Sequence, residues 1–157
     1  MAQHVLRIVS TILFFLSGCT SNIADAQPGK LVSDFYQKNI SISDRMKQFR
    51  NYSLEDKYEL NIFGNKVIHP PATYLAEPFA QQGAEIIPFL RKKLEVENEE
   101  ARIRDIALVF SEAARLKIYD FSKDAALMNL LNQKIGNMQG IWKDAASQSL
   151  SEIQSAR

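Results

Sequence analysis

Reactive side chains are scarce in this chain. It has one cysteine, Cys19, and two histidines, His4 and His69, among 157 residues. A structural zinc site draws on clustered thiolates and imidazoles, so this composition leaves it almost nothing to use and no metal site is expected. A single thiol cannot form a disulfide within the chain, and stability has to come from packing. No Gly-x-Ser-x-Gly elbow is present, and the six glycines are too scattered to build a phosphate-cradling loop. Charge of one sign is lacking too, with 19 basic against 18 acidic residues and a formal net charge of +1. Phosphate neutralisation needs a clustered basic excess, so nucleic acid is not expected as a partner. The apolar run at residues 8–16 (IVSTILFFL) is too short to cross a bilayer as a helix.

That run has a different meaning when read with its neighbours. The residues before it carry Arg7 and the initiator amine, and no acid, which gives the charged and apolar regions of a secretory signal. Leu16-Ser17-Gly18-Cys19 follows directly. Over residues 1–19 the chain resembles bacterial lipoproteins, whose lipobox has this form. The resemblance implies that the Cys19 thiol receives a diacylglyceryl group, that the Gly18–Cys19 bond is cut, and that the new α-amine is acylated. Small side chains at Ser17 and Gly18 let an extended backbone enter a peptidase cleft. Each buried methylene contributes about 0.8 kcal/mol, so one acyl chain holds marginally and several hold durably. Thr20, where an aspartate is absent, implies transfer to the outer membrane with the domain facing the periplasm. The membrane is then one partner, reached through lipid at Cys19.

Three segments are expected: a removed signal (1–18), a lipidated tether (19–29) and a single helical domain (30–157). Removing the signal takes away Arg7 and no acid, which leaves 18 basic and 18 acidic residues. The tether TSNIADAQPG is small and polar, with a reach of about 30 Å when extended.

From Lys30 the apolar spacing predicts helices almost throughout. Leu31, Val32, Phe35 and Tyr36 suggest a first helix ending near Asn39. Ser43 can cap a second with Met46 and Phe49 inward, and Ser53 with Asp56 resembles a capping arrangement for a third. Residues 58–62 (YELNI) also alternate as a strand would, but helical neighbours favour a helix. His69-Pro70-Pro71 is a break, with Pro71 suited to the first turn of a helix that buries Tyr74, Leu75 and Phe79. Pro78 predicts a kink or restart, and Gly83 an end. Ile86, Ile87, Phe89, Leu90 and Leu94 share one side of the next helix, opposite Arg91-Lys92-Lys93. Residues 95–100 read as a charged, flexible connection. Ile103, Ile106, Ala107, Phe110, Ala113 and Ala114 make the strongest stripe. Ser122 is a candidate cap, Asp120 and Asp124 flank the same turn as helix caps, and Leu127, Leu130, Leu131, Ile135 and Met138 follow. Gly136 and Gly140 loosen that helix's end, and Ile141-Trp142 opens a last helix carrying Ala145, Leu150 and Ile153. The expected fold is all-α, an antiparallel bundle or short array of six to eight helices.

Pro88-Phe89-Leu90 with Leu94, and then Ile103-Arg104, Ile106-Ala107, Phe110 and Ala114, form a helix, an acidic turn and a helix. This pair resembles a HEAT-type repeat over about 35 residues, with no second copy at a fixed period. Such arrays usually offer surfaces to other proteins, so the likeness implies an interaction module.

Chemistry-bearing patterns are few. With His4 in the signal, His69 is the one imidazole left, and beside two prolines it reads as a turn residue. Glu95, Glu97, Glu99 and Glu100 read as a solvated acidic loop. Phe35, Tyr36, Phe49, Tyr52, Tyr58, Phe63, Tyr74 and Phe79 read as core, with an exposed aromatic groove for peptide or glycan as the alternative. No catalytic residue, cofactor or metal ligand is assigned. The expectation is a lipid-anchored, non-enzymatic module that binds another protein, with an immunity or inhibitor protein against an envelope toxin as one specific form. The alternatives are an envelope assembly accessory, or a cell-wall enzyme with two facing carboxylates of raised pKa.

Overall fold

The computed structural model describes residues 28–37, 39–67 and 73–156. These residues form eight α-helices and two short 3₁₀ turns, with no strand among them, so the chain is all-α. In order they are α1 (Pro28–Phe35), α2 (Ile42–Asn51) and α3 (Leu54–Val67), then a 3₁₀ turn (Thr73–Leu75) that runs into α4 (Ala76–Ala80). After them come α5 (Ile86–Val96), α6 (Glu100–Arg115), the turn Phe121–Lys123, α7 (Ala125–Gly136) and α8 (Lys143–Ser155).

Helix α6 is the axis of the molecule. It packs most extensively on α8 and then on α4, and it also touches α3, α5 and α7. All six residues of its apolar stripe are buried, but so are Arg104, Asp105, Val109 and Ser111 on its other sides. Glu100 opens this helix and Arg115 closes it, each at the end the backbone dipole favours. Its C-terminus is a Schellman motif: Ile118 N–H donates to Ala113 C=O at 2.9 Å and Lys117 N–H to Ala114 C=O at 3.0 Å. Lys117 pays for this with a left-handed backbone, φ 56°.

The contested residues 58–62 lie inside α3. Their alternation has a physical origin, because Tyr58, Leu60 and Ile62 are all buried together with Lys57, Asn61 and Asn65. A helix covered on most sides shows no one-sided stripe. Helix α1 starts at Pro28, inside the expected tether, and ends at Phe35 rather than near Asn39.

Local polar groups decide where the helices begin. Ser41, not Ser43, caps α2, its Oγ accepting from Asp44 N–H at 3.1 Å. Ser53 does the same for Asp56 N–H at 3.1 Å, as the spacing predicts. Asp124, not Ser122, caps α7 by accepting from Leu127 N–H at 2.9 Å, and Asp120 accepts from Ser122 N–H. Each such cap contributes about 1 kcal/mol. Pro78 falls in the first turn of the five-residue α4, where its missing N–H disturbs nothing, and Gly83 leaves that region at φ 105°.

Aromatic rings build the N-terminal half of the core. Phe35, Phe49 and Phe79 are fully buried and meet in sequence, with centroids 5.9 and 6.2 Å apart. Tyr36 joins them edge-on at 4.9 Å from Phe35, and its hydroxyl donates to Leu60 C=O at 2.9 Å. On α8 the buried positions are Ala146, Ser149 and Ile153, with Leu150 packed partly buried against the core, so Ile153 lies inward as expected while Ala145 faces out.

Candidate functional site

Gly18 and Cys19, the expected cleavage and lipid-attachment residues, lie outside the described residues, and so does His69. Among the described residues no helix is long and apolar enough to cross a membrane. Nor do those residues include a group of three or more His, Cys, Asp and Glu placed to hold a metal ion.

The acidic connection is shorter and more ordered than the sequence suggests. Only residues 97–99 link α5 to α6. The Glu97 carboxylate accepts from Asn98 and Glu99 N–H, both at 2.9 Å, and Lys134 Nζ donates to Glu97 C=O at 2.6 Å. Glu100 reaches across to the α7–α8 turn, where its two oxygens accept from Gln139 N–H at 2.7 Å and Gly140 N–H at 2.8 Å. A β-carbon at Gly140 would collide with Glu100 Oε2, so this glycine permits a close approach instead of loosening a helix. Of the basic run, Lys92 is exposed, but Lys93 pairs with Glu55 and lies 4.9 Å from the Tyr58 ring centroid. Arg91 pairs with Glu95 at 3.4 Å and Asp124 at 3.6 Å.

The aromatic group is mostly core, as expected, with one exception. Tyr74 is 42% exposed and Ile42 72% exposed. Both line an open groove of about 960 Å³ between α2 and the start of α4, together with Met46, Arg45, Arg50 and Glu77.

A second feature is polar and buried. The Arg104 and Asp105 side chains are 7% and 3% exposed, and Arg104 Nε lies 2.8 Å from Asp105 Oδ1 without the alignment of a hydrogen bond. The Arg104 guanidinium stacks on Trp142, 4.4 Å from the ring centroid. Across from them on α3 stand Asn61 and Asn65, one turn apart. Both side-chain amide atoms of Asn65, Asn61 Oδ1, Arg104 Nε and Asp105 Oδ1 find no hydrogen-bond partner among the described residues. Burial pushes the Asp105 carboxyl up to about 7, against the pull of Arg104 and of the Asn65 amide nearby. Asn65, Arg104, Asp105 and Trp142 line a cleft of about 230 Å³, with Arg102 and Glu99 also at its walls. Lys57, a buried cation on α3, is satisfied: it donates to Gln82 Oε1 at 2.6 Å, and Gln82 donates to Pro78 C=O at 2.9 Å.

Sequence reasoning missed this cluster. Its signal is Arg104-Asp105 set between apolar neighbours in the strongest stripe of the chain, facing two asparagines four residues apart. Side chains so polar are rarely fully buried unless paired. No family model, curated protein or solved structure matches the chain.

Proposed function

We propose that this chain is a lipid-anchored protein of the bacterial envelope that works by contact with another protein, Cys19 carrying the anchor and the helical bundle presenting the contact surface. The observation that carries the reading is Leu16-Ser17-Gly18-Cys19 directly behind a short apolar run. Thr20 favours the outer membrane, with the bundle on the periplasmic side. The groove bearing Ile42 and Tyr74 supports the second half of the reading. Exposed apolar side chains in a concavity with a charged rim suit a protein partner better than bulk water. The α5–α6 pair, joined by three residues, has the helix–turn–helix form that a HEAT-like surface uses.

A two-acid cell-wall enzyme fits less well. Among the described residues the one carboxyl raised towards neutrality, Asp105, lies 2.8 Å from the Arg104 guanidinium, and the second carboxylate at that cleft, Glu99, is paired with Arg102 at 2.9 Å. Crosslinking the protein in its native envelope, followed by identification of what is captured, tests the proposal. A defined partner is expected, and its capture should fall when Ile42 or Tyr74 is replaced by aspartate. Capture of a toxin makes the protein an immunity factor, and capture of an outer-membrane complex makes it an assembly accessory. No partner, or capture unchanged in both variants, would count against the groove.

A further inference from the structure

The two walls of the groove between α2 and the start of α4 differ in shape and in charge. Ile42, Met46 and Arg50 follow one another at steps of four, so they form one ridge along α2, about 12 Å from end to end. All three border the groove, with the exposed Tyr74 in the facing wall. On the α2 side Arg50 is exposed and makes no ion pair among the described residues, and Arg45 donates to Gln37 C=O at 2.9 Å without meeting a carboxylate. On the other side Glu77 of α4 and Glu112 of α6 share a single cation. Arg115 Nη2 lies 2.7 Å from the first and 2.6 Å from the second. One guanidinium between two carboxylates leaves that wall with a net negative charge. The apolar side chains in the middle therefore have a positive flank on one side and a negative flank on the other.

We propose that the occupant of this groove is a second copy of the chain, related by a two-fold axis that runs along the groove. That occupancy rests on the reading of the groove as a contact surface. A two-fold interface joins the same patch on both copies, and an axis along the groove exchanges its two walls. The Arg45 and Arg50 wall of each copy then faces the Glu77 and Glu112 wall of the other, and the apolar centres meet. A row at steps of four is also the ridge that packs into a groove between helices, so α2 of each copy can lie in the groove of the other. A foreign segment of one charge sign fits less well. If acidic it is repelled by Glu77 and Glu112, and if basic by Arg45 and Arg50. Here the apolar contact supplies the affinity and the charges fix the register.

The test is sedimentation equilibrium of the full chain, isolated from its membrane in a density-matched detergent. The unaltered chain should pass from monomer to dimer with rising concentration and go no further, because a two-fold interface closes at two. Ile42→Asp, Arg50→Glu and Glu77→Arg should each weaken the dimer by about tenfold or more. Arg50→Glu sets an acid against Glu77 of the second copy, and Glu77→Arg sets a base against Arg50. An equimolar mixture of those two variants should therefore dimerise again as a mixed pair. A monomer at every concentration would overturn the proposal, and so would oligomers larger than two. A dimer that Arg50→Glu leaves as tight as before, or a mixture that stays monomeric, would overturn it as well. The self-association of the unaltered chain decides the matter even if a variant does not fold. Failure here removes the second copy and leaves the groove open to a foreign protein, which crosslinking in the envelope reads. Crosslinking that captures no foreign protein leaves the sedimentation result intact.

Discussion

Gly140 and Glu100 illustrate how much a single contact organises here. One carboxylate holds two consecutive backbone N–H groups of the α7–α8 turn, in a position that a β-carbon at residue 140 would crowd. Gly140→Ala should destabilise the protein by less than about 1 kcal/mol, measured by denaturant unfolding, because the Glu100 carboxylate it meets is the free end of a flexible side chain making exposed hydrogen bonds. In a Glu100→Ala background the same change should cost much less, because the collision is gone; equal costs in the two backgrounds would refute the coupling. Asp105 makes a prediction about pH. Its carboxyl ionises at 3.8 when unfolded and near 7 in the native state, so between those values the native state binds more protons. Stability from this group therefore falls as pH rises from about 4 to 7 and stays at its lower level above that, a change on the order of 4 kcal/mol. Subtracting the stability curve of Asp105→Asn from that of the unaltered protein isolates the effect. Parallel curves across that window would contradict it.

At the scale of elements, the end of α6 offers a sharp check. Lys117 occupies the left-handed position of a Schellman motif where glycine is usual. Lys117→Gly relieves backbone strain worth roughly 1 kcal/mol and should raise the unfolding midpoint, although glycine's greater freedom in the unfolded chain offsets part of the gain. An unchanged or lower midpoint would show that the lysine side chain stabilises this turn. The elements themselves were largely legible in the sequence. The stripes of α5, α6 and α7 lie on buried faces, and the Ser53 and Asp124 caps are where the spacing puts them. Less legible were the features set by tertiary contact. Tyr74 is exposed because its neighbours Leu75 and Ala76 take the inward positions at the start of α4. The shift from Ala145 to Ala146 on α8 depends on how that helix meets α6. The polar cluster was hidden because one-dimensional periodicity marks a buried face by its apolar residues, and it passes over charges that a second helix covers.

At the scale of the whole molecule, the account joins a compact bundle to a membrane through a short tether. If residues 1–18 are removed as proposed, the two charge signs balance, so the chain has no net electrostatic reason to adhere to anionic lipid, and the proposed attachment rests on acyl groups at Cys19. Cys19→Ser should release the protein from the membrane fraction and leave the melting temperature of the bundle unchanged. The most direct measurement is intact and peptide mass spectrometry of the protein from its own host's envelope. The account predicts a chain beginning at residue 19 whose cysteine carries a thioether-linked diacylglyceryl group and an acylated α-amine. A free thiol at that position, or a chain that still carries residues 1–18, would contradict it.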